Sequence, residues 1–263
     1  MFNIKNGAKT CLFGLCCTVL LVSCTGGTGN SKNNDLGGQQ KTQSKGAEIN
    51  LKLGVEYMRR QQYDIALEKL KRALTDDENY ADAHNAIAIL YERLGRFEQS
   101  STHYKKAVTL NPSDSNIQNN YGQYLCRQGH WAEAENHFLR AIDNPLYKKP
   151  YVPYVNAGIC TLRHKQYEKA ESYFRKALKA FPDFSLALFQ MAKLNYETKN
   201  YSYARNYLER YLHVAQQTPQ TLLLGIKIAR QLNDRDTETR YSLLLRSKYP
   251  DAEEVQQLKQ FMH

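Results

Sequence analysis

Residues 53–74 read LGVEYMRRQQYDIALEKLKRAL, and the same rhythm returns at 87–108, IAILYERLGRFEQSSTHYKKAV, and at 157–178, AGICTLRHKQYEKAESYFRKAL. In each, a small residue is followed by others twelve and nineteen places later. The sets are Gly54, Ala66, Ala73; Ala88, Ser100, Ala107; Gly122, Ala134, Ala141; and Gly158, Ala170, Ala177. Ala192 and Ala204 begin a fifth set that ends in Tyr211, and Gly225 opens a sixth with the larger Thr237 and Leu244. First members follow one another at 34, 34, 36, 34 and 33 residues. A fixed period of this length is the signature of a repeat array. Two antiparallel helices approach closely only where side chains are small, so the small residues mark crossing points within each unit.

Large residues around those points fill the remaining space. They are Tyr57, Tyr63 and Leu70; Tyr91, Phe97 and Tyr104; Leu125, Trp131 and Phe138; Tyr167 and Phe174; Tyr196, Tyr201 and Leu208. Much of the excess of 19 tyrosines over one tryptophan is therefore packing. The seven prolines (112, 145, 150, 153, 182, 219 and 250) fall between repeats or just after the last, where they interrupt no helix interior. Gly95 and Gly129 fall at the turns within repeats, where a positive φ is often needed.

The quoted segments resemble the tetratricopeptide repeat, over about residues 47–250. The resemblance implies an all-α fold, a right-handed superhelical solenoid of about six helix-turn-helix repeats. Its sixth repeat is degenerate, as suits a terminal cap, and a two-residue insertion lies around Leu146–Pro153.

The N-terminus has another character. Lys5 and Lys9 precede a twelve-residue apolar run, Cys11 to Val22, which is too short to span a bilayer and has the length of a signal-peptide apolar region. It ends Leu21-Val22-Ser23-Cys24, which resembles the lipobox of bacterial lipoproteins. That resemblance implies cleavage before Cys24 and acylation of Cys24. The expected organisation is a signal peptide over 1–23, a lipidated tether over 24–46 and the repeat domain over 47–263. The tether reads as Gly- and Asn-rich polar coil with a single large apolar residue, Leu36. No Asp follows Cys24. By the sorting rule for such lipoproteins, the protein is expected at the periplasmic face of the outer membrane.

With Cys11, Cys16 and Cys17 removed and Cys24 lipidated, Cys126 and Cys160 remain as an even pair in an oxidising compartment. A disulfide between them is one expectation, and two separately buried thiols are the other. Cys126 follows Gly122 by four residues and Cys160 follows Gly158 by two, so their helical phases differ by about 200°. On that reading, tilt between repeats and the insertion must bring the sulfurs together.

The whole chain has 36 Lys+Arg against 26 Asp+Glu, a net charge of +10. Loss of Lys5 and Lys9 lowers it to +8. Such a charge raises nucleic acid as a partner, which the export signal argues against. A mean hydropathy of −0.65 rules out a polytopic membrane protein. No Gly-rich phosphate loop, HExxH or GxSxG is present, and the seven histidines are scattered. The chain therefore reads as a binding protein with no catalytic site, metal, cofactor or small-molecule substrate.

Candidate binding residues follow from repeat register. Five places after each opening small residue stand Arg59, Arg93, Arg127, Arg163, Glu197 and Arg230, five arginines in six. They form a basic edge suited to an acidic peptide, or simply occupy helix C-termini, where a cation is favoured. Beside them Leu51, Val55, Met58 and Ile89 form one apolar patch of the concave face. Val152, Val155, Ile159, Leu162, Leu186 and Phe189 form a second. Asn120 and Asn156 occupy equivalent groove positions, where an amide could bond a bound peptide or a neighbouring helix.

Lipobox, six repeats and paired cysteines combine with the runs Asn120-Tyr-Gly-Gln-Tyr-Leu-Cys126, Asn144-Pro-Leu-Tyr147 and Asn156-Ala-Gly-Ile-Cys160. Together they resemble the type IV pilus biogenesis/stability lipoproteins, the pilotins of the PilW/PilF type. The resemblance implies an outer-membrane lipoprotein that helps the pilus secretin reach the membrane and multimerise, without catalysis. The competing reading is another outer-membrane repeat lipoprotein, a scaffold for peptidoglycan enzymes or for β-barrel assembly.

Overall fold

The computed structural model describes residues 44–262, and over them the chain is all helix and turn. The proposed signal peptide, Cys24 and nearly all of the proposed tether lie outside the described residues. Six antiparallel pairs follow in order: α1 (Lys45–Arg59) with α2 (Tyr63–Asp76), α3 (Ala81–Arg93) with α4 (Phe97–Leu110), and α5 (Ser115–Arg127) with α6 (Trp131–Ile142). Next come α7 (Tyr151–Arg163) with α8 (Tyr167–Ala180), α9 (Ser185–Glu197) with α10 (Tyr201–Val214), and α11 (Pro219–Gln231) with α12 (Arg235–Lys248). A single helix, α13 (Glu253–Met262), ends the array. The first helix opens at Lys45, two residues ahead of the boundary read from the sequence.

The small residues lie at the helix crossings. Ala66, Ala73, Ala88, Ala107, Ala134, Ala141, Ala170, Ala177, Ala192 and Ala204 are all fully buried. Ser100 takes an alanine's place because its hydroxyl donates to Ala88 O at 2.8 Å, which satisfies the buried polar group. The contacts are tight. A Cβ on Gly54 would stand 2.5 Å from Leu70, and one on Gly122 would stand 2.8 Å from the Phe138 ring.

Every turn within a repeat closes with the same hydrogen-bond pair. At the first, Gln61 N donates to Met58 O and Gln62 N donates to Tyr57 O, the Schellman arrangement that requires a left-handed residue. Gly95 and Gly129 supply it in repeats two and three. Gln61, Lys165, Lys199 and Asn233 adopt it without being glycine, at φ of 60°, 58°, 62° and 56°. In the sixth repeat this residue falls eight places after the opening glycine instead of seven. That extra residue shifts the register expected for α12, and Leu245 is fully buried where Leu244 was expected.

Successive first helices touch one another (α1 with α3, α3 with α5, on to α11 with α13), while second helices touch only helices adjacent in sequence. Closer approach of the first helices curves the array toward them, so they line its concave side. At its C-terminal end α13 inserts Val255 and Leu258 against Leu222, Leu223 and Ile226 of α11. It covers a face that would otherwise be left without a following repeat.

Candidate functional site

Repeat one carries an open groove of about 530 Å³ on the concave side. Leu51, Val55 and Met58 share one face of α1 because they recur at helical spacing. Opposite them α3 presents Ala86, Ile89 and Arg93. Ala86 is small, so the wall between the helices stays open. Val55 is 39% exposed on the floor, whereas Met58 is nearly covered and contributes only an edge. Lys52, Arg59 and Arg93 stand on the rim, with Glu56, Asp82 and Asn85. Every residue expected for the first apolar patch, and the two arginines beside it, meets here.

The arginine stripe divides by role. Arg127 forks onto Glu92 of the preceding repeat, at 2.5 and 2.8 Å. Arg93 Nη1 donates to Met58 O at 3.4 Å, again one repeat back. Arg59 pairs loosely with Glu56 of its own helix at 3.6 Å, and Arg230 pairs with Glu238 at 2.9 Å. The contacts of Arg93, Arg127 and Arg230 tie neighbouring helices together, and all five arginines also sit in the last turn of a helix, where the carbonyl ends favour a cation. Arg163 is exposed. The asparagines act likewise: Asn120 Nδ2 donates to Asn85 Oδ1 at 3.3 Å and Asn156 Nδ2 to Asn119 Oδ1 at 2.8 Å. Both amides therefore bridge adjacent repeats.

The second apolar patch does not assemble as read. Val155 is fully buried in one cluster with Leu188 and Met191 of α9, so it is core and not groove. The reason lies in the facing helix, where Leu188 and Met191 pack over Val155; Leu51, at the same repeat position in α1, stays half-buried. Ile159 and Leu162 pack against the same cluster, Val152 is half-buried, and Leu186 stands apart, exposed. Phe189 instead joins a separate groove of about 390 Å³ with Tyr196, Leu223 and Leu224. Its far wall is Glu254 and Gln257 of α13. That groove was not legible because α13 carries no repeat signature.

Cys126 and Cys160 are bonded through sulfur between α5 and α7, with Cα atoms 5.8 Å apart, inside the range a disulfide needs. Both are buried. The phase difference of about 200° needs no compensation by tilt or insertion. Parallel neighbouring helices face each other with opposite sides, so partners across the seam should differ by about half a turn.

Repeat two holds a histidine pair that the sequence reading passed over. His84 Nε2 lies 3.1 Å from Glu78 O, and His84 Nδ1 lies 2.9 Å from His103 Nδ1. Nε2 must donate to the carbonyl, which leaves Nδ1 to accept from His103. Burial holds His103 down to about 4, with His84 and Lys71 acting in the same direction. Burial also lowers His84, with Lys106 adding to it and the Glu78 carbonyl opposing it. Both rings are neutral in the fold but take protons when unfolded. The stabilisation from His103 is complete above about pH 6.5 and is lost as pH falls through about 4, and His84 acts in the same direction. His103 contributes an acid slope of at most about 1.4 kcal/mol per pH unit, reduced by its partial exposure. Urea unfolding across that window should show it, and His84→Gln with His103→Gln should remove that part of the slope. Thirty-four residues on, Gln118 and His137 already occupy the equivalent places, 2.6 Å apart.

Among the described residues no three His, Cys, Asp or Glu gather as a metal site. Tetratricopeptide repeat profiles match residues 54–95, 81–114, 103–136 and 161–224. The type IV pilus assembly protein PilF of Pseudomonas aeruginosa is 30% identical over 241 residues, 92% of this chain and 95% of its own. The crystal structure of PilW, titled a widely conserved type IV pilus biogenesis factor, superposes with a TM-score of 0.75 at 30% identity. That match covers 81% of this chain and 97% of PilW. The structure of Pseudomonas aeruginosa PilF gives a TM-score of 0.74 at 30% identity, over 83% of this chain and 99% of PilF. Identity sustained over nearly the full length of both chains, on one array of six repeats and a closing helix, shows that this chain belongs to the PilF/PilW family of tetratricopeptide-repeat proteins of type IV pilus biogenesis.

Proposed function

We propose that this protein is a pilotin: a non-catalytic lipoprotein, anchored through Cys24 at the periplasmic face of the outer membrane, that binds the type IV pilus secretin. It takes up a segment of a secretin subunit and promotes that subunit's delivery to the membrane and its assembly into multimers. The observation that carries this reading is the repeat-one groove. Leu51, Val55 and Ile89, with an edge of Met58, make an apolar floor under a rim of three cations and two carboxylates. An exposed apolar trough of this kind marks a protein-binding surface. It suits a segment with aliphatic or aromatic side chains and an acidic neighbour.

Crosslinking in intact envelopes followed by recovery of the lipidated protein tests the reading. The secretin is the expected partner. Recovery of peptidoglycan hydrolases or of barrel-assembly components in its place would move the protein to another class of outer-membrane scaffold. The anchor is tested separately. Cys24→Ala should leave an unlipidated precursor that no longer fractionates with the outer membrane.

A further inference from the structure

The connection between α6 and α7, residues 143–150, holds a leucine out from the molecule. Leu146 N donates to Asn144 Oδ1 at 3.0 Å, and Tyr147 N donates to Asn144 O at 3.1 Å. Asn144 Nδ2 donates to Ser113 O at 3.4 Å, and the Tyr147 hydroxyl donates to Asn116 Oδ1 at 3.2 Å. The turn is thus closed on itself and pinned on both flanks to the preceding repeat. Between those pins Leu146 is 85% exposed. Scattered exposed leucines are ordinary. One fixed at the apex of a hydrogen-bonded turn is displayed, because the pins deny it the inward rotation that would cover it.

Its surroundings share a character. Lys148 and Lys149 follow it and are exposed. In the next such connection Phe181 is 41% exposed. Phe181 rests on Tyr151 at 5.0 Å, and Tyr151 meets Phe184 edge-on at 4.8 Å, which steadies the pair of turns as one edge. Lys179 precedes Phe181 and is exposed. Asp143 and Asp183 are the acidic residues of the two turns, so the edge carries a cationic excess. The corresponding edge of the first two repeats is the opposite. It carries Asp76, Asp77, Glu78 and Asp114 and no exposed large apolar side chain. Apolar tips and unpaired lysines therefore occur together and in one place.

We propose that this edge docks on an anionic bilayer, with Leu146 entering the interfacial region, Phe181 beside it, and Lys148, Lys149 and Lys179 over headgroup phosphates. A projecting apolar tip ringed by cations fits a flat, yielding, negatively charged surface. The lysine stems can lie along the acyl boundary while their ammonium groups stay in the headgroup layer. Docking there would fix the orientation of the array on the membrane. The inference rests on the pilotin reading only in that an anchored domain stands beside a bilayer.

The lipidated full-length chain carrying Leu146→Trp is reconstituted with phosphatidylglycerol/phosphatidylethanolamine vesicles that contain brominated acyl chains. The parent chain, whose one tryptophan is Trp131, gives the baseline. The expected result is quenching and a blue shift of the introduced tryptophan, lost on adding Lys148→Glu and Lys149→Glu, and absent in phosphatidylcholine vesicles. Emission no different from the parent baseline overturns the proposal, as does equal quenching in phosphatidylcholine. Flotation with phosphatidylcholine vesicles, on which the edge does not dock, reports the anchor independently. A chain that does not float there refutes the Cys24 reading, while quenching with the anionic vesicles still supports the docking edge and its absence overturns it. A photocrosslinker at position 146 that captures protein and no lipid in cells also overturns it, in favour of a protein socket.

Discussion

Gly158→Val should cost about 3 kcal/mol of stability, near the upper end for overpacking a core. A Cβ on Gly158 would lie 2.5 Å from Phe174 Cε1 and 2.7 Å from Cδ1. Phe174 is fully buried among Val155, Ala170, Ala177 and Leu188, so its ring has nowhere to retreat. Valine then adds two methyl groups to a site with no room for one. The small gain in helix propensity over glycine, under about 1 kcal/mol, does not offset this. Urea unfolding followed by circular dichroism measures the loss. The cause is checked by adding Phe174→Ala, which alone should cost about 3–5 kcal/mol. Because the two residues compete for the same space, the double variant should be clearly more stable than the sum of the single losses predicts. Strict additivity would show that the clash is not what destabilises the glycine variant.

Cys126→Ser with Cys160→Ser should lower stability by about 3–4 kcal/mol, the chain-entropy cost of opening a loop of this length. The cysteines are 34 residues apart and join first helices of adjacent repeats. Their link crosses the seam where the two-residue insertion interrupts the spacing of the repeats. Two buried hydroxyls in place of sulfur add to the loss. Mass spectrometry of the non-reduced protein should find the two peptides joined. Reductant added to the parent should reproduce most of the variant's shift in urea midpoint. Two free thiols in the protein recovered from cells, or a variant as stable as the parent, would contradict this.

The repeat was legible because small residues are compulsory where helices cross, and their twelve- and nineteen-residue spacing survives any choice of surface. The same logic failed for α13, which among the described residues buries Val255 and Leu258 and crosses no second helix of its own. The left-handed turns at Gln61, Lys165, Lys199 and Asn233 were equally hidden. Nothing about Gln or Lys announces a positive φ, and the Schellman hydrogen bonds impose it. Val155 shows a different limit. Repeat register places it on the first helix's inner side, but its exposure depends on the helix opposite. Leu188 and Met191 close over Val155 in repeat four, while Leu51, at the same repeat position, stays half-buried at the repeat-one groove. The repeat-one groove was therefore found by position and confirmed as open only by its neighbour's side chains. Of the polar residues chosen with it, Arg93, Arg127, Asn120 and Asn156 also bond to the neighbouring repeat.

Val55→Asp puts the central claim to the most direct measurement. Val55 lies on the floor of the repeat-one groove and is 39% exposed, so an aspartate there should alter binding without unfolding the array. The readout is the ratio of secretin multimer to monomer in envelopes from cells carrying the variant, with thermal unfolding of the purified variant as control. The account predicts that multimers disappear while secretin monomer persists and the unfolding temperature stays within a few degrees of the parent. Multimers at parental levels in Val55→Asp, and still at parental levels when Leu51→Asp is added, would contradict it.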